Sequence, residues 1–185
     1  SVNLAEDLTI SSDKAAVVVW GTSSVTTSAT ITAGDSFAIA ANGSAGQAAD
    51  ITILGGNIKS DTIAIYQPSA GSLTIKGGTI TGSTPVYVKS GKLTVTGGVL
   101  HATGEKKPYQ FYGNGAYTTG DALVIDNCGY PGGTPVPSVT GGTFISDNAS
   151  PIASYTNEAT DKVLGGFVSD GTFNKELERF LCAKD

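Results

Sequence analysis

The chain contains no methionine and only one tryptophan, one histidine and one arginine, Arg179, among its 185 residues. Eleven Lys and Arg stand against 16 Asp and Glu, a net charge of −5, so no basic stripe exists to neutralise a phosphate backbone. Nucleic acid and an anionic membrane surface are not expected partners. Long apolar runs are missing too. The longest covers residues 15–20, against the roughly 20 residues a bilayer requires, so membrane insertion is not expected. No basic segment followed by an apolar one opens the chain as a signal peptide does; an exported protein loses such a leader, so this feature does not decide location.

What is abundant is glycine, 25 residues, about twice the ordinary share. Thr, Ser, Val and Ile favour pleated, half-buried strands, while helix formers are scarce until the last dozen residues. The class expected is all-β. A length of 185 residues suits one domain.

A short strand followed by glycine recurs along the chain. It reads Thr30-Ile31-Thr32-Ala33-Gly34, Ile51-Thr52-Ile53-Leu54-Gly55-Gly56, Leu73-Thr74-Ile75-Lys76-Gly77-Gly78 and Leu93-Thr94-Val95-Thr96-Gly97-Gly98. It returns as Ser138-Val139-Thr140-Gly141-Gly142 and Val163-Leu164-Gly165-Gly166. The last glycines are spaced 22, 22, 20, 44 and 24 residues apart, the 44 being read as two periods with a degenerate coil between. Each glycine precedes a second apolar strand: Phe37-Ala38-Ile39, Ile63-Ala64-Ile65-Tyr66, Val86-Tyr87-Val88, Leu123-Val124-Ile125 and Ile152-Ala153-Ser154-Tyr155. A fixed period of this kind marks a solenoid. Alternation predicts Leu73 and Ile75 inward and Thr74 outward, with Ile53, Ile75 and Val95 stacked in one aliphatic ladder. The paired glycines are expected to supply positive φ at a tight corner.

The expected architecture is a single-stranded right-handed parallel β-helix of about 7 coils of roughly 22 residues, in one domain of residues 1–185. Residues 1–29 form an N-terminal capping coil with Trp20 over the core. Residues 30–170 form repeat coils with an enlarged segment at 101–137, and 171–185 a C-terminal cap. In that cap Leu177, Phe180 and Leu181 at helical spacing, with Asn174 as N-cap, predict a short helical lid. A β-sandwich also accommodates short strands and glycine turns, but not the common period. Coils rising by about 4.8 Å set residues two coils apart beyond the roughly 7 Å limit of a disulfide, which favours Cys128 and Cys182 as free, buried thiols over a bonded pair.

Val2-Asn3-Leu4-Ala5-Glu6-Asp7-Leu8-Thr9-Ile10, the repeated Thr-Ile-x-Gly-Gly-Thr-Ile unit and Gly141-Gly142-Thr143-Phe144-Ile145-Ser146-Asp147 resemble the short parallel β-helix repeats of adhesin-like surface proteins of gut bacteria. Similar repeats occur in phage fibres and tailspikes. The resemblance covers most of the chain and implies an extracellular setting, on a cell surface or virion, as monomer or homotrimer. It supplies no ligand, cofactor or catalytic residue.

Polysaccharide-degrading β-helix enzymes are the alternative. Hydrolases of that architecture resemble one another in clustered aspartates with Gly-His-Asp and Arg-x-Lys elements, whereas this chain has only Leu100-His101-Ala102 and no Arg-x-Lys. Lyases need a tuned base and a cation at the uronate, and Arg179 sits in the expected lid. Asp121, Asp126 and Asp147 can be assembled into an acid and base pair only on paper, because carboxylates beside Gly, Asn or Ser mostly bond local backbone and face water. His101 is expected to be solvent-facing or hydrogen-bonded, and no cofactor or metal is expected. An ice-binding face would need regular Thr-x-Thr rows, and only Thr30-Ile31-Thr32 and Thr94-Val95-Thr96 fit.

The irregular segment 101–137 carries Tyr109, Phe111, Tyr112, Tyr117 and Tyr130. Loops on a rigid scaffold are where binding sits, and aromatic faces stack on sugars or anchor proteins. These five residues are the expected ligand-binding set, for glycan or a surface protein. The competing expectation is that they pack an enlarged coil.

Overall fold

A computed structural model of the chain describes residues 1–157 and 162–184. Its strands follow one another in threes. The first coil holds β1 (Val2–Leu4), β2 (Thr9–Ser12) and β3 (Val17–Val19). The second holds β4 (Ser24–Thr27), β5 (Thr30–Ala33) and β6 (Ile39–Ala41), and the third β7 (Asp50–Ile53), β8 (Asn57–Ser60) and β9 (Ile63–Gln67). The fourth holds β10 (Ser72–Ile75), β11 (Thr79–Gly82) and β12 (Thr84–Val88), and the fifth β13 (Lys92–Val95), β14 (Val99–Ala102) and β15 (Leu123–Asn127). In the sixth, β16 (Val136–Ser146) runs unbroken through two faces and β17 (Ile152–Thr156) forms the third. A last strand, β18 (Val168–Phe173), starts another coil on β16.

Every strand pairing is parallel, and each strand pairs with its counterpart one coil away. The chain is thus an all-β parallel solenoid with three faces. On the first face Ile53, Ile75 and Val95 are register partners and each is fully buried, as the alternation in the sequence predicts; Leu73 also points inward and Thr74 is half-buried. Ile31, Ile58, Ile80, Leu100 and Phe144 form the second ladder. Ile39, Ile65, Val86, Leu123 and Ile152 form the third. Burial of each such side chain stabilises by about 1.5–3 kcal/mol.

The glycine doublets sit at the corner between the first two faces. The second member takes positive φ, as at Gly78 (φ 83°). Contact adds to this, since a Cβ on Gly77 would lie 2.5 Å from the Leu54 carbonyl oxygen of the preceding coil and one on Gly78 2.7 Å from that of Gly55.

Several expectations from the sequence are corrected. Thr30–Ala33 does not share a face with residues 51–53 and 73–75; it pairs with β2 and β8 on the second face, and β4 holds its assumed place. Thr30 and Thr94 therefore lie on different faces, so no Thr-x-Thr row links them. The 44-residue interval hides no degenerate coil, because β13 pairs directly with β16, Leu93 against Pro137. It is one coil enlarged by two insertions, 103–122 and 128–135. Trp20 does not cover the core and is 63% exposed; Leu4, Ile10 and Val17 edge the core only half-buried.

At the other end no α-helix forms in 174–181, and only a 3₁₀ turn, Arg179–Leu181, is present. Tertiary bonds override the local propensity: the Asn174 amide donates to the Ser146 carbonyl (3.0 Å) and accepts from its N–H (3.1 Å). Leu181 is fully buried and Leu177 packs on the core, while Phe180 remains 45% exposed. Cys128 and Cys182 are both free; Cys128 is buried, but Cys182 is exposed.

Candidate functional site

The third face differs from the other two because β9, β12 and β15 are buried along both sides. Alternation turns Val86 and Val88 inward and leaves Tyr87 and Lys89 on the outer side. The same parity puts Val124 and Asp126 outward one coil on. These residues would face water if the fifth coil were of ordinary length. Instead insertion 103–122 folds back over them. Tyr66, Tyr87, Val124, Ala40 and Ile63 form a second apolar cluster, with Phe37, Ala116 and Tyr155 packed against it. Tyr66 donates its hydroxyl to the Gly115 carbonyl (3.1 Å) and stacks on Phe37 at 4.7 Å, while the Thr84 hydroxyl accepts the N–H groups of Thr119 and Gly120.

Beneath the insertion lies a polar centre whose charged pair is fully buried. Lys89 Nζ is 3.8 Å from Asp126 Oδ2, with both side chains fully buried. It donates to the Tyr112 carbonyl and faces the rings of Tyr130 at 4.7 Å and Phe111 at 5.6 Å. Asp126 accepts from Tyr87 at Oδ2 and from Tyr109 at Oδ1, both at 2.9 Å. Burial lowers the Lys89 pKa from its ordinary value. Burial, and then the Asp126 carboxylate, raise both phenols, so Tyr87 and Tyr109 remain donors. The buried Cys128 thiol is pushed up to about 12, burial again being the first cause.

The five aromatics expected to form one recognition set divide in two. Tyr109 is half-buried, stacked on Tyr155 at 4.8 Å and bonded to Asp126. Tyr130 packs toward Gly43, where a Cβ would come 2.3 Å from its ring. Both belong to the packing of the enlarged coil. Phe111, Tyr112 and Tyr117 are 47%, 43% and 47% exposed, and Tyr112 and Tyr117 stack at 4.9 Å. Tyr117 is the shared wall of two shallow clefts. One, of about 250 Å³, is lined by Asp35, Phe37, Thr62 and Thr118 among others; the other, of about 170 Å³, by Lys107, Pro108, Gln110 and Thr118. A larger depression of about 750 Å³ follows the C-terminal tail at Arg179 and Phe180 and contains none of these groups.

Two of the carboxylates depart from the expectation that they bond local backbone and face water, and Asp147 and Asp170 meet it in part or whole. Asp126 is fully buried, and Asp121 is 2% exposed, accepting from Thr119 (2.6 Å), Tyr155 (2.8 Å) and the Ser150 N–H (2.9 Å). Asp147 is exposed and bonded to His101 at 3.0 Å, and Asp170 closes its own turn onto the Gly171 N–H. Among the described residues no group of three or more His, Cys, Asp or Glu can hold a metal ion, and no helix is long and apolar enough to cross a membrane.

Sequence reasoning missed Lys89 and the partnership of Asp126. The signal was available once strands were set in register: Val86-Tyr87-Val88-Lys89 over Leu123-Val124-Ile125-Asp126 places a cation over an anion at the end of two apolar strands. Comparisons with protein-family models, with curated proteins and with solved structures return no match, so function is inferred from the geometry alone.

Proposed function

We propose that the chain is a non-enzymatic extracellular structural and adhesive module, of the kind built into bacterial surface proteins or phage fibres, and that it holds a glycan against Tyr112 and Tyr117. One observation carries this reading: a stacked, half-exposed tyrosine pair rides on an insertion that is itself bonded to a rigid solenoid face. Sugar rings pack their C–H faces on such aromatics. Lys107, Gln110, Thr118 and Asp35 offer hydroxyl-directed hydrogen bonds within the flanking clefts.

The underlying scaffold is, on this reading, a single-stranded right-handed β-helix in one domain, 1–185, with its last residues as a cap. Right-handedness follows the strong rule for crossovers between parallel strands of one sheet. Capping is supported by the tail's bonds to the last coil, from the Ala183 N–H to the Val168 carbonyl (2.7 Å) and from the Phe167 N–H to the Leu181 carbonyl (3.0 Å).

A polysaccharide hydrolase is less well supported. Asp121 and Asp126 lie five residues apart on a nearly extended chain, about 16 Å at the ordinary strand rise, beyond the roughly 5–10 Å a glycosidase pair spans. Incubation with pectin, alginate and mucin glycans tests this directly, and new reducing ends or unsaturated products would overturn the non-enzymatic reading.

The binding reading is tested on a glycan array with Tyr112→Ala and Tyr117→Ala. Loss of retention at an unchanged Tm is expected. Retention that survives both substitutions, or a parent chain that retains no glycan, removes the binding role. Light scattering separates monomer from homotrimer.

A further inference from the structure

Lys89 and Asp126 end neighbouring strands of the third face, directly after the register pair Val88 and Ile125. Their side chains meet at 3.8 Å without exposure to water. That spacing is poor for an ion pair, since charge-assisted N–H···O bonds close to about 2.7–2.9 Å and a buried pair with a weak contact does not recover its desolvation cost. Among the described residues Lys89 meets no second carboxylate: it also contacts the Tyr112 carbonyl, the Cys128 thiol and the faces of Tyr130 and Phe111. Meanwhile each oxygen of Asp126 has its own phenol donor, Tyr87 on Oδ2 and Tyr109 on Oδ1.

We propose that Lys89 and Asp126 are a self-modification site, where the lysine amine and the aspartate carboxyl condense into an intramolecular amide that joins the fourth coil to the fifth. In that reaction a proton first passes from the Lys89 ammonium to the Asp126 carboxylate, so that an amine meets a carboxylic acid. The Nζ lone pair adds to Cγ, and the negative charge that collects on Oδ1 is stabilised by the Tyr109 hydroxyl. Tyr87, on Oδ2, hands its proton to the departing oxygen and recovers one from the nitrogen. One C–N bond forms and one C–O bond breaks. Oδ2 leaves as water, carrying the carboxyl proton and one hydrogen from Nζ. No electrons are transferred, so no oxidant or reductant enters.

The surroundings favour this outcome. Burial destabilises the charged form of Lys89 relative to the neutral amine that reacts. Holding the two groups together replaces an encounter by a unimolecular step. The product carries no buried charge. The nearby Cys128 stays a protonated thiol and does not compete.

The test is the intact mass of the full chain, unfolded and reduced. A mass lower than the sequence by one water is expected, with proteolysis yielding one branched peptide that contains residues 89 and 126. Lys89→Arg and Asp126→Ala are expected to return to full sequence mass, and Tyr109→Phe to leave a fraction of chains unjoined. A parent chain at full sequence mass overturns the proposal, whether or not any variant folds. So does a water loss that maps elsewhere, for example to a succinimide at Asp170-Gly171.

Discussion

Tyr87 on β12 donates its hydroxyl to Asp126 on β15 across 2.9 Å, with both residues shielded from solvent. In a chain whose Asp126 is not joined to Lys89, removing that hydroxyl leaves a carboxyl oxygen short of a donor in a dry site. Tyr87→Phe is expected to lower stability by about 1–3 kcal/mol, read as a lower urea midpoint at an unchanged slope. A midpoint within error of the parent would mean that water reaches Asp126 and that the insertion does not seal the face.

Alkaline pH should unfold the protein earlier than an ordinary tyrosine content suggests. Tyr66, Tyr87, Tyr109 and Tyr155 are raised from 10.0, and Cys128 from 9.0, burial being the largest cause in each. The folded chain keeps these protons while the unfolded chain releases them, so their stabilisation is complete below about pH 9 and is lost above it. Each fully buried group contributes a slope of about 1.4 kcal/mol per pH unit in its window. A Lys89 left as the free amine, lowered from 10.5, acts in the opposite sense; one joined to Asp126 does not titrate. Urea midpoints measured from pH 7 to pH 11 should fall beyond pH 9; a flat profile contradicts the burial described.

The two kinds of glycine turn can be separated by substitution. Gly78→Ala forces a Cβ to within 2.7 Å of the Gly55 carbonyl oxygen at φ 83°, and strain at positive φ alone costs about 1–2 kcal/mol. Gly46, at φ 78°, has open space around it, so Gly46→Ala should show the backbone strain without the collision. The measured order of thermal midpoints should be parent, then G46A, then G78A. Equal losses would mean that coil-to-coil contact at the doublet contributes nothing.

Ile75 is flanked in its ladder by Ile53 and Val95. Ile75→Ala opens a cavity that neither neighbour can fill without shifting its own coil, and a cost of about 2–5 kcal/mol is expected. Thr74→Ala, one residue away on the outer surface, should cost under about 0.5 kcal/mol.

The ladders were legible because parity in a strand is a local property: Leu73, Thr74 and Ile75 declare their sides without knowledge of anything distant. Which face a strand joins is not local. Thr30-Ile31-Thr32-Ala33-Gly34 and Leu73-Thr74-Ile75-Lys76-Gly77 look alike, and only the lengths of the preceding turns set them on different faces. The candidate site was half legible. The exposed Tyr112 and Tyr117 follow from an insertion rich in aromatics, but the sorting of Tyr109 and Tyr130 into the interior depends on Asp126 and Lys89, whose contacts span 17 and 41 residues of sequence respectively. Asp121 and Asp126 read as solvated turn residues because nothing nearby in sequence covers them; the cover arrives from Tyr155 and the insertion.

Leu93 pairs with Pro137 and Leu100 with Phe144, so the hydrogen-bonded stack passes straight from one coil to the next although 44 residues separate the first pair. The stack needs only β14 and β15 from the stretch between those points. Doubling the length of an excursion costs only about 0.6 kcal/mol of closure entropy, so the open tip of the second insertion at Gly133, where an added Cβ meets nothing within 4 Å, is a tolerant graft position, whereas 103–122 is held in place by the face it covers.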